Sequence, residues 1–260
     1  MPPGIVAAYR PKLWRPRAAP SEEFSTEVQQ FFDRIGGPPG GNYTAAYETF
    51  IDALVAGGVW AEADGIYVLK APSSAIGYEN LRQDNYHLTE SGSITFTNGV
   101  GVTSGGGFLD SNFNPSTATA PNYTQNDASF GARSETSTGI AGALVGYSTQ
   151  NNLYPRYTDD VCYYQINSAG GQSVSSADGS GLWVVSRSAS SAYVIYRNGV
   201  EIDGDNDTSA TVQNANIQFL KFSTEHYTGN VTFGWIGGHI SEALCGVLDS
   251  ALDAYLAAVP

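Results

Sequence analysis

The chain has 260 residues, with 12 basic and 25 acidic side chains, 30 glycines and 42% hydrophobic residues. That length suits one large β domain or two small ones, and a glycine-rich, charge-poor composition favours a sandwich or barrel over a helical protein. A net charge of −13 argues against nucleic acid as the main partner.

The charge is unevenly placed. Residues 1–20 carry Arg10, Lys12, Arg15 and Arg17 and no acid, a local +4, which leaves −17 on the rest of the chain. Pro2, Pro3, Pro11, Pro16 and Pro20 forbid a regular helix there. Trp14 sits among the cations, and an aromatic with arginines is a common interface anchor. We therefore expect Arg10, Lys12, Trp14, Arg15 and Arg17 to form an assembly-docking arm; the plainer alternatives are a frayed tail or an arm lying on its own acidic domain. The start lacks the apolar core of a secretory signal, and no stretch is long enough to span a membrane, so no membrane insertion is expected.

A short helix is predicted over 21–34, capped by Ser21, with Phe24, Val28, Phe31 and Phe32 on a partial apolar face. Gly36 to Gly41, with Pro38 and Pro39, reads as a linker, which sets a boundary between an arm at 1–41 and a domain at 42–260. A second helix over 43–56 follows from Tyr43, Tyr47, Phe50 and Leu54 at helical spacing, with Asn42 as its cap. Val59 to Asp64 adds a turn, and Ile66 to Leu69 is an apolar strand.

From there the pattern is almost all β. Short strands are predicted at 86–88, 94–96, 100–102, 108–110, 128–132, 140–147, 161–166, 181–187, 193–197, 199–202, 217–222 and 231–236. Residues 111–126, rich in Asn, Pro, Thr and Ser, read as a long surface loop. Strands about ten residues apart with polar turns mark an antiparallel sandwich. Asn198-Gly199 between apolar flanks specifies a tight hairpin, because a type I′ turn needs positive φ at both central residues. Its register would set Ile195 against Ile202 and Arg197 against Val200. A closing helix starts after Ser241, a good N-cap with Glu242 behind it. Leu244, Leu248, Leu252, Tyr255 and Val259 give that helix one apolar stripe, and neither long helix is stable alone in water, so both should dock on the outside of the sandwich.

Several motifs in this order resemble a known group. They are Phe50 to Trp60 followed by Asp64 to Leu69, Gly107 to Pro115, the Tyr196 to Val200 hairpin, and the Ile236-Gly237-Gly238 turn into its helix. Over about residues 43–260 the chain resembles the laminin-G-like branch of the concanavalin A-like lectin/glucanase superfamily, as found in phage and prophage structural proteins. The resemblance implies a jelly roll of two antiparallel sheets. It further implies a virion component such as a tail fibre, spike or decoration protein, made in the bacterial cytoplasm and shown to host-surface glycans in several copies. Its partners would be other virion proteins through the leader, further copies of itself, and glycans; a purely structural collar or cap subunit is another reading.

No catalytic signature stands out. The glucanases of this superfamily alternate carboxylates along one strand as Glu-x-Asp-x-x-Glu, and no such run occurs here; a glycan-degrading enzyme would have to draw its carboxylates from separated loops. Asp159 and Asp160 are neighbours and read as a turn. Asp203, Asp205 and Asp207 alternate as Ca²⁺ ligands would, although a solvated loop explains them as well and no other cofactor is indicated. Cys162 and Cys245 read as small buried hydrophobes, with a strand-to-helix disulfide as the alternative; no paired Cys or His spacing supports zinc. His87, His226 and His239 lack a nucleophile at motif spacing. For sugars, Tyr123, Tyr154 and Tyr157, with Asp159 and the nearby asparagines 122, 151 and 152, are the candidates, because they fall in polar loop-like stretches at 111–126 and 148–160. Trp60, Trp183 and Trp235 lie in apolar runs and read as core.

Overall fold

A computed structural model describes residues 24–138 and 142–260. The leader positions Arg10, Lys12, Trp14, Arg15 and Arg17, the cap Ser21 and the start of the strand predicted at 140 lie outside the described residues. In chain order the elements are α1 (Thr26–Arg34), α2 (Gly41–Ala56), α3 (Val59–Glu62), β1 (Ala63–Val68), α4 (Ser74–Gly77), β2 (Thr89–Ser91), β3 (Ile94–Thr97), β4 (Gly101–Ser104) and β5 (Phe108–Asp110). They continue with β6 (Ala128–Ser134), β7 (Val145–Ser148), β8 (Asn151–Tyr154), β9 (Val161–Gln165), β10 (Gln172–Ser175), β11 (Gly181–Ala189), β12 (Ala192–Arg197) and β13 (Val200–Asp205). Last come β14 (Gln218–Phe219), β15 (Lys221–Phe222), β16 (Glu225–His226), β17 (Val231–Gly237) and α5 (Glu242–Ala258).

Two antiparallel sheets form the jelly-roll sandwich. The first runs β13-β12-β11-β6-β17-β4-β3, with β1 also paired to β17. The second runs β10-β9-β8-β7-β14-β5-β2, and β15-β16 is a separate small hairpin. The central strands of the first sheet, β11, β6 and β17, are covered on both faces. Along β11, Trp183 and Val185 enter the core between the sheets, while Leu182 and Val184 face the helices. A strand buried on both faces reads as a continuous apolar run, which is why Leu182 to Val185 shows no alternation.

The helices make a third layer. Tyr47 of α2 packs on Tyr255 of α5 at 5.0 Å between ring centroids, and Phe50 reaches Phe233 of β17 at 6.2 Å. Each buried Leu or Phe here stabilises the fold by about 1.5–3 kcal/mol. Ser241 caps α5 as expected, its side chain accepting from the Leu244 N–H. At the other end Lys70 donates from Nζ to the carbonyls of Leu256 and Val259, at 3.1 and 3.4 Å, satisfying orphan acceptors where the helix dipole is negative.

The short first helix starts later than predicted, at Thr26: Ser25 before it is non-helical, with a ψ of 160°, and its hydroxyl donates to Asp52 of α2 at 2.6 Å. It also packs on the body of the protein. Phe31 and Phe32 are fully buried, Phe31 lies 5.0 Å from Tyr47, and Arg34 donates to the carbonyls of Asn80 and Leu81. Helix α2 begins at Gly41 after Gly40, ahead of the predicted cap Asn42.

Three further strand readings need correction. The hairpin turn stands, with φ of 49° at Asn198 and 75° at Gly199, and Arg197 does face Val200. A bulge in β13, however, sets Ile195 against Asp203 and leaves Ile202 unpaired. The run predicted at 217–222 is broken in two by Leu220, whose φ of 69° turns the chain. Tyr86 to Leu88 is not a strand, and Tyr86 has a φ of 58°.

The cysteines are free and lie in different cores, Cys162 between the sheets and Cys245 under the helices. Burial pushes both thiols up, Cys245 to about 12. The three tryptophans expected in the core are buried. No helix among the described residues is long and apolar enough to cross a membrane.

If α1 belongs to the same cooperative unit, Phe31→Ala should lower stability by about 3–5 kcal/mol in a single urea transition followed by tryptophan fluorescence. A separate low-denaturant step for α1 would contradict this packing.

Candidate functional site

The outer face of the second sheet carries a groove of about 420 Å³. Its floor follows from strand register. Asn152 pairs with Gln165 and Tyr154 with Tyr163, while Leu153 pairs with Tyr164. Side chains alternate across a strand, so Asn152, Tyr154, Tyr163 and Gln165 share the outward face while Leu153 goes to the core. Tyr164 is fully buried in that core as well, and its hydroxyl donates to Asp203 at 2.9 Å.

Tyr157 comes from the turn between β8 and β9. Its ring meets Tyr154 edge-on at 5.6 Å and Tyr163 at 6.0 Å, the geometry preferred by aromatic quadrupoles. Two carboxylates hold the cluster. The Tyr157 hydroxyl donates to Glu225 at 3.1 Å, and the Tyr163 hydroxyl donates to Asp159 at 2.6 Å. Hydrogen bonding to Glu225, then its charge, raises the Tyr157 pKa; Asp159 does the same for Tyr163. Tyr154 is raised first by burial and then by Glu225. The amides are interlocked: Asn152 donates to Gln165 at 3.1 Å, and Gln165 donates to the Ser168 carbonyl at 2.5 Å.

Tyr154, Tyr157 and Asp159 therefore meet in one groove. Tyr123, expected with them on an exposed loop, does not join them. It is 1% exposed, and its hydroxyl lies 3.1 Å from the side-chain oxygens of Asn151 and Asn167, donating to one of them, with the Tyr147 hydroxyl at the same distance. The cause is Asp64, whose carboxylate accepts the N–H groups of Asn122 and Tyr123 at 2.9 and 2.8 Å and pins the loop to β1. Burial raises the Asp64 pKa, and those two N–H groups oppose the shift. Asn151 is likewise buried.

Reading the sequence alone missed Tyr163, Tyr164, Gln165, Gln172 and Glu225. The alternation in 161–166 could have flagged Tyr163 and Gln165. Nothing local marks Glu225, which arrives from the β15-β16 hairpin.

The three aspartates considered for Ca²⁺ have separate partners. Asp203 accepts from Tyr164, Asp205 from Gln172 at 2.5 Å, and Asp207 from Ser168 at 3.4 Å. Among the described residues, no group of three or more His, Cys, Asp or Glu side chains is disposed to hold a metal. The histidines are spread apart: Nδ1 of His226 lies 2.8 Å from the Gly107 carbonyl, Nδ1 of His239 lies 2.8 Å from the Ser186 hydroxyl, and His87 lies 2.9 Å from Glu79 and 3.6 Å from Asp84. Asp159 and Asp160 do occupy a turn, with Asp160 at a φ of 61°.

No protein-family model matches the chain, and no curated protein matches it. Solved structures show partial similarity. Domain 4 of AbnA, an extracellular arabinanase of Geobacillus stearothermophilus solved with arabinotriose, is 15% identical with a TM-score of 0.47, over 72% of this chain and 98% of that domain. Trypanosoma rangeli sialidase is 13% identical with a TM-score of 0.48, over 74% of this chain and 33% of the sialidase. A structure of botulinum neurotoxin type C, whose cell entry depends on two ganglioside molecules, is 14% identical with a TM-score of 0.48, over 75% of this chain and 52% of the toxin chain. The chain thus spans a third to a half of the sialidase and toxin structures. None of these likenesses assigns it to a family.

Replacing Glu225 with Gln removes the charge beside Tyr157. In a titration of ring-labelled tyrosine by NMR, Tyr157 should then ionise at lower pH than in the parent. An unchanged Tyr157 midpoint would mean that the two side chains do not meet in solution.

Proposed function

We propose that this chain is a carbohydrate-binding jelly-roll domain whose ligand lies on the outer face of the second sheet. The observation that carries the proposal is the meeting of Tyr154, Tyr157 and Tyr163 edge to face in one groove. A sugar ring has an apolar C–H face that covers an aromatic face, and its hydroxyls need amide and carboxylate partners at the rim. Asn152, Gln165, Asp159 and Glu225 supply that rim. A groove with aromatic walls and a few convergent polar groups is the usual form of a small-ligand site.

Such a site is weak by itself. Following the resemblance to phage and prophage proteins, we propose that several copies are displayed on a virion or similar particle, so that avidity makes the attachment firm. The leader with Arg10, Lys12, Trp14, Arg15 and Arg17 would be the tether. Removing residues 1–20 should leave the melting temperature unchanged and abolish incorporation into the particle; incorporation without the leader would refute the tether.

One observation favours a second reading. Asp159 and Glu225 line the same groove, and glycoside hydrolysis uses two carboxylates flanking the bond. The binding reading is preferred because each of them accepts a tyrosine proton and the alternating strand carboxylates of the glucanases are lacking.

A glycan array probed with the intact chain should yield a defined set of binders and no release of reducing ends. Tyr157→Ala should weaken the best binder by roughly tenfold, the effect of losing one aromatic contact of about 1–1.5 kcal/mol. Tyr123→Phe should leave binding unaltered. Reducing ends released by the parent and not by Glu225→Gln would favour the hydrolase; an array with no binder would end the carbohydrate reading.

A further inference from the structure

We propose that the ligand of this groove is cationic, a glycan bearing protonated, unacetylated amino groups. The inference rests on the carbohydrate reading and adds the charge of the sugar.

Its basis is an accounting of donors. A phenol has one proton to give, whereas a carboxylate at neutral pH has none. The hydroxyls of Tyr157 and Tyr163 each donate to a carboxylate, respectively Glu225 and Asp159. These two hydroxyls therefore present lone pairs to a ligand. Glu225 and Asp159 each have one oxygen committed to a tyrosine and a second that can accept. At the edge, Gln172 already spends a donor on Asp205 at 2.5 Å. Asn152 and Gln165 each spend an amide proton inside the groove wall, on Gln165 and on the Ser168 carbonyl, so the groove still offers more acceptors than donors, and an ammonium group brings three donors.

Charge points the same way. Among the described residues no Lys, Arg or His lines the groove, and two carboxylates do. Arg156 falls between Tyr154 and Tyr157 in sequence, yet its guanidinium pairs with Asp160 instead of facing the groove. A uronate or sulfated sugar would meet two carboxylates with no cation to balance it. An ammonium would meet both carboxylates and the electron-rich tyrosine faces, which attract cations. The same carboxylates raise the ionisation of Tyr157 and Tyr163, so these rings stay neutral when the ligand binds.

The test is calorimetry of the intact chain with three oligosaccharides of equal length: oligoglucosamine, its fully N-acetylated counterpart and an oligouronate. Oligoglucosamine should bind about tenfold tighter than the acetylated form, the combined effect of one partly exposed ion pair and one cation–π contact. The oligouronate should be weakest, and the preference should shrink as salt rises. The double variant Glu225→Gln, Asp159→Asn keeps side-chain shape and should lose the preference while melting as the parent does. Equal or tighter binding of the acetylated or uronate oligomer overturns the inference and leaves the carbohydrate reading standing. A preference retained in the double variant also overturns it, since general attraction to a chain of net charge −13 would then suffice. Failure of all three, together with an empty glycan array, overturns both.

Discussion

Burial of the first sheet's central strands on both faces is the constraint from which the rest follows. Strands β11, β6 and β17 have no face left for water, so one side needs a second sheet and the other needs helices. Trp183 and Phe130 enter the first core; Val184, Phe233 and Trp235 enter the second. Helices α2 and α5 are held by this sheet, since isolated helices of their length are marginal in water. Their apolar stripes find Phe233 and Trp235, and α1 covers them in turn through Phe31 and Phe32. One face of the structure is committed to helices, and the groove lies on the opposite side, on the outer face of the second sheet.

Polar groups inside the sandwich locate its loops. Asp64 is 6% exposed and keeps two backbone donors of the long 111–126 segment. Arg187 is fully buried and makes no ion pair among the described residues; it donates to the carbonyls of Ile166, Ala189, Ser190 and Asp207 and lies 4.6 Å from the Tyr193 ring centre. Burial lowers its pKa, and the nearby Tyr193, Tyr123, Asp207 and Asp205 oppose the shift. A buried cation is costly unless hydrogen-bonded, so these carbonyls hold the chain ends around it in one arrangement.

The groove itself shows how far local pattern reaches. Strand β9 was legible from its apolar and aromatic run, and the Asp159-Asp160 turn from its two adjacent acids. Strand β8 was hidden inside a segment read as loop, because Asn151-Asn152 carries turn-forming residues into a strand. A polar neighbourhood points equally to Tyr154 and Tyr157, which meet in the groove, and to Tyr123, which is buried, since loop composition says nothing about a buried carboxylate on another strand.

Some properties needed no partner from far along the chain. The Asn198-Gly199 turn, the Ser241 cap, the apolar stripes of α2 and α5 and the doubly buried run at Leu182 to Val185 are set by backbone preference and by side-chain periods of 2 and 3.6 residues. The groove depends on pairings of another kind. Tyr157 and Glu225 are 68 positions apart, Tyr164 and Asp203 are 39, and the β13 bulge moves a register by one residue. Which carboxylate receives which tyrosine proton is decided when two sheets and a hairpin pack together, because hydrogen bonds act over a few ångströms in space regardless of separation along the chain.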